Sequence, residues 1–171
     1  GCSNYSAWRL CQALWASDRV GVARYECLQP VYNLIQREGF ERDMAELCHE
    51  EGLAVIPYSP QAGGFLTGKY RAGQEPPADS RAAANEGMRK CFTDANFALI
   101  EEMRSIGDSH DHSVGHVALA WHLSNPLITA PIVGARNADQ LDDSLGAAGF
   151  RLSSEEMDRL NELSAWRNKG D

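Results

Sequence analysis

The residues that could do chemistry are concentrated in a few short stretches. In "VIPYSPQAGGFLTGKY" (residues 55–70) an apolar run ends at Tyr58 and passes straight into Ser59, Gln61, the pair Gly63–Gly64 and Lys69. An aromatic ring, a hydroxyl, backbone bare of side chains and a cation follow one another. Taken alone, the segment reads equally well as a strand-ending turn with a rim tyrosine and as a loop that grips a ligand. A second stretch, "HDHSVGH", supplies His110, His112 and His116 and invites a metal reading. It straddles a loop and a helix start with no cysteine nearby, so a solvated loop is the expectation and no metal is assigned. His49 and His122 lie within amphipathic stretches and read as surface or packing residues.

These residues need elements to position them. Ser6 caps a helix with Trp8, Leu10, Cys11, Leu14 and Trp15 at helical spacing, running to about Ser17. "YECLQPVYNL" (residues 25–34) reads as a strand broken at Pro30. A helix over 40–51 follows, with Gly52 suited to end it. "LAVIPY" (53–58) is apolar on successive residues, the pattern of a parallel strand covered on both faces. Residues 71–92, rich in Pro, Gly, Ala and charge, form one long loop. Thr93 opens a helix through Ile106, and Ser113 opens another through Leu123 that Pro126 stops. "LITAPIVG" (127–134) is a third clear strand, and helices over 137–148 and 153–166 close the chain, the last with a Ser153–Glu156 capping box. The alternation predicts a parallel α/β fold, either barrel or doubly wound sheet.

At 171 residues and 43% hydrophobic content the chain is expected to form a single domain of roughly 100–200 residues with a substantial core. A net charge of −8 disfavours nucleic acid and anionic lipid as partners, and no apolar run approaches the ~20 residues of a membrane helix. Five cysteines without a C-x-x-C spacing fit reduced thiols in a cytoplasm. About four strands are present where an eight-stranded barrel needs eight, so the chain reads as a different fold or as half of one.

Four motifs carry a family resemblance. "GCSNYSAWRL", "LQPVYNLIQRE", "VIPYSPQAGGFLTGKY" and "PIVGARNADQLDDSLGA" are similar, in this order, to motifs of aldo-keto reductases. The resemblance implies a (β/α)8 TIM barrel, of which residues 1–171 are the C-terminal half, and an NADP(H)-dependent reduction of a small-molecule carbonyl to an alcohol. NAD is the lesser expectation. The partners implied are the missing N-terminal half or a pairing chain. In such a barrel ligands bind at the C-terminal ends of the strands. Tyr58 would then stack on the nicotinamide, with Ser3, Asn4 and Gln29 holding its carboxamide. Ser59, Gln61, Gly63 and Lys69 would reach the pyrophosphate. Arg136 would meet the adenosine 2′-phosphate, Gln140 and Asp143 the adenine, and Gly134 is a further cofactor-binding residue. Gln61 stands where the family usually has leucine, and Ser144 where it has asparagine. The family's catalytic residues come from strands outside this chain, so no catalytic residue is assigned. Two alternatives stand beside the enzyme: a non-catalytic nucleotide-sensing module of the same fold and a self-pairing half-barrel.

Overall fold

The computed structural model describes residues 1–78 and 80–166. Three short strands, β1 (Cys2–Ser3), β2 (Cys27–Gln29) and β3 (Ala54–Val55), form a parallel sheet in the order β1-β2-β3. The register pairs Ser3 with Gln29 and Leu28 with Val55. Each parallel crossover is made by helix: α1 (Ala7–Val20) between β1 and β2, then α2 (Glu38–Glu41) and α3 (Met44–Glu50) before β3. Strand order thus follows chain order, without the reversal that marks a doubly wound sheet.

The run at 127–134 lies beside β3 but is not a regular strand. Thr129 donates its N–H to Val55 O (2.8 Å), Ile132 donates to Pro57 O (2.8 Å), and Tyr58 and Ile132 form a single parallel bridge. Pro57 and Pro131 have no N–H to return, so the ladder cannot continue. Pro30 cuts the expected 25–34 strand in the same way, leaving Val31 in an isolated bridge to Tyr58. Of the two faces expected to be covered, this chain covers one fully and the other in part. Leu53, Val55 and Pro57 are buried against helices, whereas Ala54, Ile56 and Tyr58 on the other face are half-buried and Ile132 is exposed.

The single helix expected over 40–51 is split at Arg42 and Asp43, which turns both Phe40 and Met44 into the core. α1 runs a turn beyond Ser17, to Gly21. The stretch read as one loop, 71–92, contains two one-turn helices, α4 (Arg81–Ala84) and α5 (Glu86–Arg89), each started by a side-chain cap from Ser80 or Asn85. They exist because Ala82 and Met88 bury against Tyr70. α6 (Asp94–Ser109), capped by Thr93, packs on α7 (Val114–Leu123) and on α9 (Ser154–Leu163). α7 is apolar nearly all round, as a helix at the centre of a core must be. The Ser153–Glu156 capping box at α9 forms as expected. α8 (Ala138–Leu145) differs from all of these, because none of its residues is buried.

One helix face is left uncovered. Trp8 is 72% exposed and Trp15 60%, with exposed Cys11 between them on α1. Among the described residues no helix is long and apolar enough to cross a membrane.

Candidate ligand site at the strand ends

The parallel register brings the first residues after each strand to one edge. Ser3 donates its hydroxyl to Gln29 O (2.8 Å), and the Tyr58 hydroxyl donates to Asn4 Oδ1 (3.2 Å). Asn4 and Ser59 both hold φ near 56°, a left-handed conformation that turns the chain sharply off the strand end. Buried Asn33 braces this turn through a bond from Nδ2 to Ser59 O (3.0 Å). Ser3, Asn4, Gln29, Tyr58 and Ser59 therefore share one rim, and Tyr58 is held from both sides.

Beyond Ser59 the chain makes a compact turn. Ala62, Gly63 and Gly64 all have positive φ, and residues Ala62–Thr67 form a 3₁₀ segment bent at the glycines. A Cβ on Gly63 would stand 3.3 Å from Arg81 Nη1, and one on Gly64 would stand 3.1 Å from Lys69 Nζ. Bare backbone thus lies directly beneath two cations, and neither has a carboxylate partner among the described residues. A glycine-lined turn with two unneutralised cations suits an anion. Arg81 was not singled out from the sequence; the Ser80 cap and the helix it starts were the signal available. Gln61 behaves differently from expectation. Its Nε2 donates to Gly115 O (3.3 Å) on α7, so its side chain braces the loop and only its backbone faces the turn.

The other group of expected residues follows Ile132. Gly134 has open space on the side where a Cβ would project. Arg136 is exposed and has no carboxylate partner among the described residues. Gln140 Oε1 accepts the Arg136 N–H (3.0 Å), which fixes the backbone ahead of α8 and leaves the Gln140 amide nitrogen outward. Asp143 Oδ1 lies 3.4 Å from His116 Nε2.

The histidine stretch is exposed at His110, Asp111 and Ser113, as expected of a solvated loop, but His112 and His116 are half-buried. His112 stacks on Phe150 at 4.1 Å, its Nδ1 lies 3.1 Å from His116 Nδ1, and His110 bonds Glu156 (2.7 Å). Among the described residues no three His, Cys, Asp or Glu side chains converge as a metal would require. Burial alone would raise Glu156, but the Ser153 N–H and hydroxyl and His110 hold it below the usual carboxylate range.

Beneath the rim, the core is tuned towards neutral forms. Burial pushes His122 down to about 4, partly offset by the Pro60 carbonyl, and neither ring nitrogen has a hydrogen bond of good geometry. Burial, then the adjacent Glu41 carboxylate, raises Tyr32, whose hydroxyl donates to Glu41 (2.7 Å). Burial also pushes Cys48 up to about 11, which keeps it a thiol.

An ordered parallel sheet, helical crossovers and a polar rim at the strand ends describe an α/β protein whose candidate ligand site lies at its strand termini. The profile of the aldo/keto reductase family matches residues 1–165, and the chain belongs to that family. It is 29% identical to the uncharacterized oxidoreductase YrpG of Bacillus subtilis over 163 residues, covering 95% of this chain and 48% of the relative. It is 30% identical to versiconal hemiacetal acetate reductase of Aspergillus parasiticus over 162 residues, 95% of this chain and 47% of the relative. A probable voltage-gated potassium channel subunit beta of Arabidopsis thaliana is 30% identical over 150 residues, 86% of this chain and 45% of its own length. The chain spans about half the length of these relatives.

Proposed function

We propose that this chain is the cofactor-holding, C-terminal half of a (β/α)8 barrel oxidoreductase that uses NADP(H) to reduce an aldehyde or ketone to an alcohol in the cytoplasm. The observation that carries the reading is the convergence of the rim pair Asn4–Tyr58 with a glycine turn under Lys69 and Arg81. Strand order equal to chain order supports a barrel. The exposed Trp8–Trp15 face and the half-open sheet face are surfaces that a second half, or a pairing chain, would cover.

In this reading each residue has one task. Tyr58, pinned by Asn4, offers a ring face to the nicotinamide; Ser3, Asn4 and Gln29 satisfy its carboxamide and so choose which ring face meets the substrate. Ser59, the Gln61 and Gly63 backbone, Lys69 and Arg81 neutralise the pyrophosphate. Gly134 leaves room for the adenosine end, Arg136 meets its 2′-phosphate, and Gln140 and Asp143 address the adenine. The cofactor, when bound, supplies the hydride. The proton for the alkoxide comes from a group outside this chain.

The test uses the full-length protein. Arg136→Ala should weaken NADPH binding by about 1.5–3 kcal/mol, the range for a hydrogen bond to a charged group, and leave NADH nearly unchanged. Arg81→Ala should weaken both alike, since both nucleotides carry a pyrophosphate. Equal losses, or none, in the Arg136 variant would remove Arg136 as the phosphate ligand. The similarity to a probable voltage-gated potassium channel subunit beta keeps a second reading beside the enzyme, a non-catalytic nucleotide-sensing module of the same fold. Tight NADPH binding with no carbonyl turnover by the full-length protein would select it.

A further inference from the structure

α8 poses a packing problem. It buries no residue, and its apolar side chains Leu141 and Leu145 are 46% and 58% exposed. Within this chain no apolar side chain of the helix itself is buried, and Ala147 just past its end is the nearest enclosed residue, although the helix carries or adjoins Arg136, Gln140 and Asp143. The link to the body is polar and comes from the first turn of α7. His116 Nε2 donates to Asp143 O at 2.6 Å, with Asp143 Oδ1 at 3.4 Å. The proton must lie on Nε2, because Nδ1 accepts the Ser113 N–H (3.4 Å) in the capping box of α7. Its neighbour His112, at 3.1 Å from the same Nδ1, is stacked on Phe150.

Gly146 completes the contact. Its φ of −57° is ordinary, so glycine is not needed there for backbone freedom. A Cβ at that position would stand 2.8 Å from His116 Cε1 and 2.9 Å from Nε2. The missing side chain is what lets the imidazole seat against the helix end. The same turn of α7 receives Gln61 from the glycine turn at Gly115 O. One turn thus supports both halves of the candidate site, through two different side chains.

We propose that His116 is a positioning residue: with Gly146 as its seat and His112 as its brace, it clamps α8 and sets the adenosine-phosphate end of the site. This rests on the reading of Arg136, Gln140 and Asp143 as nucleotide contacts, and the test separates the two.

In the full-length protein, His116→Ala and Gly146→Ala should each speed amide hydrogen exchange across residues 138–145 while leaving α9 unchanged. Each should weaken binding of 2′,5′-ADP about fivefold or more, the size of one lost hydrogen bond. His116→Gln should restore both, because its amide can donate to Asp143 O while its oxygen takes the Ser113 N–H. Rescue by glutamine separates positioning from a general loss of packing. Unchanged exchange in the alanine variant, or failure of glutamine to rescue, overturns the clamp. Faster, glutamine-rescued exchange with unaltered 2′,5′-ADP affinity overturns the positioning role. Wild-type protein blind to 2′,5′-ADP overturns the site reading instead, and the exchange measurement then still decides the clamp.

Discussion

The two ends of the candidate site are built in opposite ways. At the strand-end rim, Tyr58 and Ser59 follow directly on buried Pro57, with buried Val55 two residues before it, and Asn33 beneath them is wholly enclosed. Within α8 no side chain is enclosed, and its contact with the body is made by the His116 imidazole seated at Gly146, next to buried Ala147. The rim moves only if the core moves, whereas α8 can loosen by itself. Local opening at a cost below global unfolding is the rule for segments with few apolar contacts. In the proposed function, the rigid end faces the reacting ring, where small misplacements are costly. The end that opens faces the part of the nucleotide that must enter and leave.

The sharpest way to break this contrast is to damage the core under the rim. Leu28→Ala removes a fully buried side chain from β2 and should cost about 2–5 kcal/mol of stability. Urea unfolding measures that loss. At concentrations where the variant stays folded, NADPH and NADH binding should fall together. An Leu28→Ala variant that lost only NADPH affinity would show that the two ends are not mechanically distinct.

Acid offers a graded version. His122 in the native core is held down to about 4, while an unfolded histidine titrates near 6.5. Above pH ~6.5 both states are neutral there and the native state keeps its full stability. As pH falls from ~6.5 towards 4, the unfolded state gains a proton that the native state refuses, and about 3 kcal/mol is lost. His122→Leu should flatten this stretch of the stability–pH curve. A variant curve parallel to that of the wild type would assign the acid loss to other groups.

The smallest effect is expected at α8. Gln140→Ala removes the bond to the Arg136 N–H and should weaken NADPH binding by about 1 kcal/mol. Its urea midpoint should stay unchanged, because no buried group is touched. A lowered midpoint would mean that α8 is coupled to the core after all.

Much of this organisation could be read in the sequence, for local reasons. Caps depend on residues three positions apart, so Ser6, Thr93, Ser113 and Ser153 gave the starts of α1, α6, α7 and α9 correctly. The parallel α/β pattern and the grouping of Asn4, Gln29 and Tyr58 could be reached from the motifs. What escaped depended on distant partners or on missing donors. Apolar content pointed to a strand over 127–134, but Pro131 within it and Pro57, just past β3, have no N–H to continue the ladder. His112 looked solvated because Phe150, its stacking partner, is far away in sequence. Gln61 looked ready for a ligand until α7 offered Gly115 O. Arg81 was hidden in a stretch whose composition reads as loop, and only the burial of Ala82 and Met88 gives that stretch shape.

Three of the four tryptophans fall into two optical classes, with half-buried Trp166 between them. Trp8 and Trp15 on the open face of α1 stand in water, and Arg19 lies 4.8 Å over the Trp15 ring. Trp121 is buried, donates its indole N–H to Asn161 (3.0 Å) and lies 5.0 Å from the His122 ring. Emission from the open pair should be red-shifted and readily quenched by iodide, while that of Trp121 should be blue-shifted and shielded. Any surface that comes to cover α1 would therefore report its arrival as a blue shift in the iodide-accessible fraction, with the core emission left as an internal standard.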